Sequence, residues 1–92
     1  MKFKVQFALA EKPKYPLQTG FRPDWVSEKK PRPNCARVLL EADQTLEAMQ
    51  NYICHIEPLV PSYWKDIKVN DVLKCVQGSN QLGEATVIEV VE

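Results

Sequence analysis

The N-terminus of the chain shows the alternation of apolar and polar residues that is typical of a half-buried β-strand. Four apolar residues there occupy every second position: Phe3, Val5, Phe7 and Leu9. This period of two predicts a strand and differs from the unbroken apolar stretch of a secretory signal peptide. No apolar run reaches the length of a membrane span, about 18 residues. We therefore expect a soluble protein of the cytoplasm whose first strand lies at the N-terminus.

The last third of the chain predicts a β-hairpin. Residues 72–76 and 85–91 are rich in β-branched side chains, which favour extended backbone. The loop between them contains four turn-forming residues: Gly78, Ser79, Asn80 and Gly83. Residues 36–41 predict a further strand, in which the consecutive apolar residues Val38, Leu39 and Leu40 are expected to be buried on both faces.

Prolines and glycines divide the segment between the first strand and residue 36. Residues 12–34 contain six of them: Pro13, Pro16, Gly20, Pro23, Pro31 and Pro33. Proline fixes φ and lacks an N–H donor, so we expect ordered loops or edge segments here and neither a continuous helix nor a central strand.

Residues 43–56 are open to two interpretations. Four apolar residues recur at helical spacing behind Asp43, a plausible N-cap: Leu46, Met49, Ile53 and Ile56. Residues 52–56, by contrast, favour an extended run that ends at Pro58. We predict a strand over 51–57 and a turn or short helical turn over 43–49. After Pro61, three apolar residues are expected to cover one end of the fold: Tyr63, Trp64 and Ile67.

The length of 92 residues indicates one domain, 1–92. The net charge is zero, but residues 1–40 carry nine Lys or Arg and three acids, whereas residues 41–92 carry three and nine. Halves of +6 and −6 can present a basic face to an anionic partner, or they can attract each other within the fold.

Residues capable of catalysis are sparse. The three cysteines lack the close spacing of metal or redox motifs, so we expect no metal and no cofactor. The single histidine, His55, follows Cys54 in a predicted strand, which places their side chains on opposite faces and excludes a dyad. Two carboxylate pairs, Asp66 with Asp71 and Glu41 with Asp43, flank predicted turns, where acids are common. The sequence therefore predicts a protein that is not an enzyme.

Binding residues are predicted around residues 20–32. Arg22 lies between two aromatic residues on a proline-fixed loop, where a guanidinium can stack on a ring, bind a carboxylate or phosphate, or pair with Asp24. The basic residues Lys29, Lys30, Arg32 and Arg37 follow. Together with the nearby Trp25 they resemble the combination of basic and aromatic side chains found in nucleic-acid grooves. The predicted binding residues are Phe21, Arg22, Trp25, Lys29, Lys30 and Arg32.

Three segments resemble the C-terminal β-barrel domain of elongation factor Tu. Residues 7–25, and above all Gly20-Phe21-Arg22-Pro23, are similar to the segment that carries a Tyr-Arg-Pro triplet after that domain's first strand. Residues 55–59 are similar to its Leu-Ile-x-Pro-Ile strand end, and residues 67–91 resemble its closing hairpin. The chain has no P-loop, and residues 47–50 replace the family's Pro-Gly-acid turn, so the resemblance does not carry GTP hydrolysis.

The resemblance implies an all-β fold, a small antiparallel barrel of about six strands. It also implies a binding surface, since the family's barrel contacts the T-stem of tRNA, the GTPase domain and the exchange factor. We expect a protein-binding module, which could mimic that barrel or neutralise a partner protein. The alternative is an RNA- or tRNA-binding protein that uses the basic N-terminal half. A second alternative is an enzyme of an unrecognised kind that depends on His55 or Cys54.

Overall fold

The computed structural model describes residues 1–10, 19–40, 51–78 and 80–91. The described chain contains six strands: β1 (Lys2–Leu9), β2 (Asp24–Val26), β3 (Asn34–Leu39), β4 (Asn51–Pro58), β5 (Val72–Gln77) and β6 (Asn80–Val91). One short 3₁₀-helix, Pro61–Trp64, lies between β4 and β5. Within these ranges, no helix has the length and apolar character needed to cross a bilayer.

The strands form a closed antiparallel β-barrel in the order β1-β4-β3-β2-β5-β6. The closing strand is β1, which pairs with β4 on one side and with β6 on the other. This architecture confirms the predicted all-β barrel of about six strands.

The barrel core follows from the alternation along β1. Phe3, Val5, Phe7 and Leu9 are all buried, because every second side chain of a barrel strand points inward. The ring of Phe7 meets Trp25 edge-on, with the ring centroids 5.6 Å apart. The ring centroids of Phe3 and Trp64 are 5.7 Å apart, and Trp64 belongs to the 3₁₀-helix at one end of the barrel. These two aromatic pairs join β1 to sequence-distant parts of the chain.

The strand β2 contradicts the expectation of loops or edge segments before residue 34. Residues Asp24–Val26 pair with β3 on one side and with β5 on the other, so this short segment is a central strand. The physical reason is local. The Pro23 carbonyl oxygen accepts the Ala36 N–H (3.3 Å), and the Ala36 carbonyl oxygen accepts the indole N–H of Trp25 (3.1 Å) in place of the N–H that Pro23 lacks. The next proline is Pro31.

The predicted strand over residues 51–57 is confirmed as β4, while the predicted turn over residues 43–49 lies outside the described residues. The strand predicted at 36–41 is β3, Asn34–Leu39. The prediction that this strand is buried on both faces is wrong. Val38 is buried, but its neighbours Arg37 and Leu39 are only half-buried, because a closed barrel has one dry face.

Asn80 and Gly83 lie within β6 and not in the turn, so their prediction as loop residues is wrong. The turn follows β5 at Gly78, whose φ of 62° is the left-handed conformation that glycine adopts most readily. A Cβ on Gly83 would collide with the carbonyl oxygen of Ala8 and approach the Cα of Leu9 to 3.0 Å. Glycine is therefore required where β6 closes against β1.

The predicted capping segment is confirmed. Trp64 and Ile67 are buried at the barrel end, and Tyr63 is half-buried against the same core. The indole N–H of Trp64 donates to the side-chain oxygen of Asn34 at 3.0 Å, which fixes the 3₁₀-helix to the start of β3.

Candidate functional site

The structure separates the predicted binding residues into three groups. Phe21 and Arg22 precede β2, whereas Lys29, Lys30 and Arg32 follow it, so the two groups lie toward opposite ends of that strand. Trp25 lies between them and points into the core, where it is 1% exposed and donates its indole N–H to the carbonyl oxygen of Ala36 at 3.1 Å. Its ring is therefore not available for stacking on a partner.

Lys29 and Lys30 bind carboxylates of the capping segment. The ammonium group of Lys29 lies 2.9 Å from Asp71 and donates to the carbonyl oxygen of Asp66 at 3.0 Å. The ammonium group of Lys30 lies 3.1 Å from the Asp66 carboxylate and 5.1 Å from the centroid of the Tyr63 ring. Both lysines thus hold the loop after β2 against the segment before β5.

The environment of Asp71 reflects this arrangement. Burial by itself would raise the pKa of its carboxyl group, but hydrogen bonds from the Lys29 ammonium group and the Lys68 N–H outweigh burial and lower the pKa. Asp66 and Asp71 were candidates for a catalytic pair. Each carboxylate instead forms an ion pair with a lysine, Asp66 with Lys30 and Asp71 with Lys29. At this loop the opposite charges of the two halves attract each other, as one of the two hypotheses proposed.

The outer surface of β3 and β4 presents a different arrangement, which we call the β3–β4 face. It consists of three outward cross-strand pairs: Leu39 with His55, Arg37 with Glu57, and Cys35 with Leu59. Leu59 and the adjacent Val60 are 43% and 49% exposed. Aliphatic side chains therefore flank a charged pair on both sides.

Arg22 joins this face from the segment before β2. The register that pairs Asp24 with Cys35 continues toward Phe21, whose carbonyl oxygen accepts the Val38 N–H at 2.7 Å, and so places Arg22 opposite Arg37. Arg22 is exposed and forms no ion pair with the described residues, Asp24 included.

Arg37 was predicted only as one of the basic residues near Trp25. Its guanidinium group is not fully hydrogen-bonded in the structure. Its Nε atom is buried and has no hydrogen-bond partner, and it lies 3.8 Å from the Glu57 carboxylate. The thiol of Cys35 lies beside both arginines. Burial and Asp24 raise the pKa of Cys35, while the positive charges of Arg22 and Arg37 lower it by less. Sequence alone could not find this cluster, because the pairing register creates it.

The groups suited to catalysis are dispersed over the described residues. Cys54 is buried and His55 is half-buried on the opposite side of β4, which confirms that they form no dyad. Burial raises the pKa of the Cys75 thiol to about 12, so this thiol stays protonated at neutral pH. No group of three or more metal-ligating side chains occurs in the described part of the chain.

A second aliphatic surface, the β5–β6 patch, consists of Val69, Val72 and Ile88, which are 42% to 50% exposed. An open cleft of about 590 Å³ adjoins it, and Val26, Pro31 and Val72 are among the residues that line the cleft. The patch contains no arginine. It is therefore a surface of similar hydrophobicity but different charge from the β3–β4 face.

The fold and these surfaces define the chain as a closed, six-stranded antiparallel β-barrel protein with an arginine-bearing outer face. Comparison with models of known protein families finds no match, and comparison with curated proteins finds no significant relative.

Proposed function

We propose that the chain is a non-enzymatic β-barrel module of the cytoplasm that binds another protein through its β3–β4 face. The observation that carries this proposal is the exposure of Leu59 and Val60 beside Arg22 and Arg37. Aliphatic side chains lose water favourably on binding, and arginine is among the residues enriched in protein interfaces.

The alternative, RNA binding through the basic half, has less support. Of its predicted cations, Lys29 and Lys30 bind carboxylates of the same chain, and the ring of Trp25 is buried. A nucleic-acid groove needs cations free to follow phosphates and rings free to stack on bases. An enzyme that uses His55 or Cys54 has still less support, since these side chains point to opposite sides of β4.

The finer proposal is that this barrel is a relative of the C-terminal barrel of elongation factor Tu. It rests on the resemblance of residues 20–23 and 55–59, and both segments adjoin the β3–β4 face. Such a module could compete with the factor for a shared partner or neutralise a partner protein.

Affinity capture from the cell extract, with and without nuclease, tests the proposed function. The capture would use the tagged wild-type protein, the double variant Leu59→Glu/Val60→Glu, and the matched control Val72→Glu/Ile88→Glu on the β5–β6 patch. The two variants change equal numbers of aliphatic residues of similar exposure, 43% and 49% against 45% and 42%. We expect a stoichiometric protein that survives nuclease and moderate salt.

That protein should be retained by the control variant and lost by Leu59→Glu/Val60→Glu. Loss only in the control variant would move the interface to the β5–β6 patch. Recovery of tRNA or other RNA, with no protein left after nuclease treatment, would overturn the proposal in favour of nucleic-acid binding.

A further inference from the structure

The two arginines of the β3–β4 face occupy directly opposite positions on neighbouring segments of the chain. Side chains directly opposite each other on neighbouring antiparallel strands have Cβ atoms about 5 Å apart. Arg22 and Arg37 occupy such positions, and like charges directly opposite each other are destabilising. A pairing of this kind calls for a compensating negative charge.

The described residues supply only part of that charge. Glu57 is the carboxylate opposite Arg37, but the ion-pair distance of 3.8 Å exceeds a charge-assisted hydrogen bond, which is about 2.8 Å. On its other side Glu57 faces β1, where the register that pairs Phe3 with Ile56 places Lys2 opposite it. Asp24 lies on the same outer face, paired with Cys35 and two residues after Arg22, so the row of Lys2, Glu57, Arg37 and Arg22 together with Asp24 holds three cations and two carboxylates.

We propose that Arg22 and Arg37 together bind a carboxylate side chain of the protein partner. This inference rests on the proposed protein-binding function and names the chemistry of its partner. A planar guanidinium presents donors in a fork that matches a carboxylate, and Arg22 is free to adopt that geometry. The surroundings favour an acidic protein segment over RNA, because the exposed neighbours Leu59 and Val60 are aliphatic, and the rings of Phe21 and His55 are partly buried and so less open to base stacking.

Titration of the ¹⁵N-labelled protein with a blocked hexaglutamate peptide at low salt tests the site without the natural partner. The side-chain Nε–Hε signals of Arg22 and Arg37 should shift and saturate. Lys74→Gln is the control variant, since Lys74 is an exposed cation on β5 that lies outside the β3–β4 face and outside the predicted binding residues. The double variant Arg22→Gln/Arg37→Gln should weaken peptide binding about tenfold, and Lys74→Gln should leave it unchanged.

Glu57→Gln provides a test with the opposite sign. This substitution removes the internal carboxylate that competes for Arg37, so the peptide should bind about threefold more tightly. The control Glu84→Gln removes the same charge from an exposed position on β6 and should leave binding unchanged, which separates competition for Arg37 from the change in net charge. Backbone amide spectra of each variant would establish that the barrel is folded.

The inference is overturned if the two arginine signals do not saturate, or if Lys74→Gln weakens binding as much as the double variant. It is also overturned if oligouridylate, titrated in parallel, shifts these signals more strongly than the peptide does. The titration is independent of the capture experiment. A captured protein that is retained by Arg22→Gln/Arg37→Gln would refute the carboxylate site alone, whereas the absence of any captured protein would refute the protein-binding function.

Discussion

At the scale of single residues, the position that most constrains this fold is Gly83. Its place in β6 opposite Leu9 brings the two backbones together where the barrel closes. From sequence, a glycine near Asn80 and Gly78 is typical of a turn. Only the pairing of β6 with β1 distinguishes a glycine that is needed for close approach from one that is needed for turn conformation.

Gly83→Ala should lower the free energy of unfolding by about 2 to 3 kcal/mol, because the new methyl group collides with backbone that can move only if the strands separate. Gly78→Ala is the matched control. It adds the same methyl group in open space but at a φ of 62°, and should cost about 1 kcal/mol. Urea denaturation of both variants measures the difference, and equal losses would contradict this account of Gly83.

Burial also decides which of the predicted binding residues can contact a partner. Phe21 to Trp25 form one continuous segment of sequence, yet Trp25 is in the core and Arg22 is exposed. The strand period of two requires this separation, and it became visible only once β2 was recognised as a strand. The binding roles of Phe21, Arg22, Lys29, Lys30 and Arg32 remain predictions.

At the scale of elements, the loop after β2 and the capping segment before β5 behave as one unit. The ion pairs of Lys29 with Asp71 and of Lys30 with Asp66 join them, and the Tyr63 hydroxyl donates to the carbonyl oxygen of Arg32 at 2.8 Å. The sequence predicted the two parts separately, one as a basic binding loop and the other as an aromatic cap. Their interaction explains why the predicted basic loop offers few free charges.

The stabilising effect of Asp71 should depend on pH. Its pKa in the folded protein is lowered below the ordinary value of 3.8, so the folded state favours the charged form. The resulting stability is present at neutral pH and is lost as the pH falls through the folded pKa. The difference in unfolding free energy between the wild type and Asp71→Asn should therefore be constant near pH 7 and narrow below about pH 4. Urea denaturation across this range measures it, and parallel curves down to acid pH would contradict the role assigned to Asp71.

At the scale of the whole molecule, the opposite charges of the two halves meet across the barrel. Each of the three ion pairs found among the described residues joins a cation from residues 1–40 to a carboxylate from residues 41–92. The sequence left open whether the charge asymmetry served a partner or the fold. Strand order answers this in part, since it places Lys29, Lys30 and Arg37 beside acids while Arg22 is left unpaired among the described residues.

Stability should consequently fall with added salt. Raising the ionic strength from about 0.01 M to about 0.15 M shortens the screening length from roughly 30 Å to roughly 8 Å, which should lower the unfolding free energy by about 1 kcal/mol. The triple variant Lys29→Gln/Lys30→Gln/Arg37→Gln should lose most of this dependence. Urea denaturation at the two sodium chloride concentrations is the measurement. A wild type and a triple variant with the same response to salt would show that these pairs do not carry the attraction.

Local sequence patterns were sufficient to predict the strand-forming segments, the lack of recognisable catalytic motifs and the apolar side chains that fill the core. These features follow from local rules: the alternation of apolar and polar residues, the preference of β-branched residues for strands, and the interruption of regular structure by proline and glycine. Tertiary structure alone decided the closure of the barrel, the central position of β2 and the meeting of Arg22 with Arg37. Each of these depends on the register between strands that are distant in sequence, and register is set by the packing of the whole barrel.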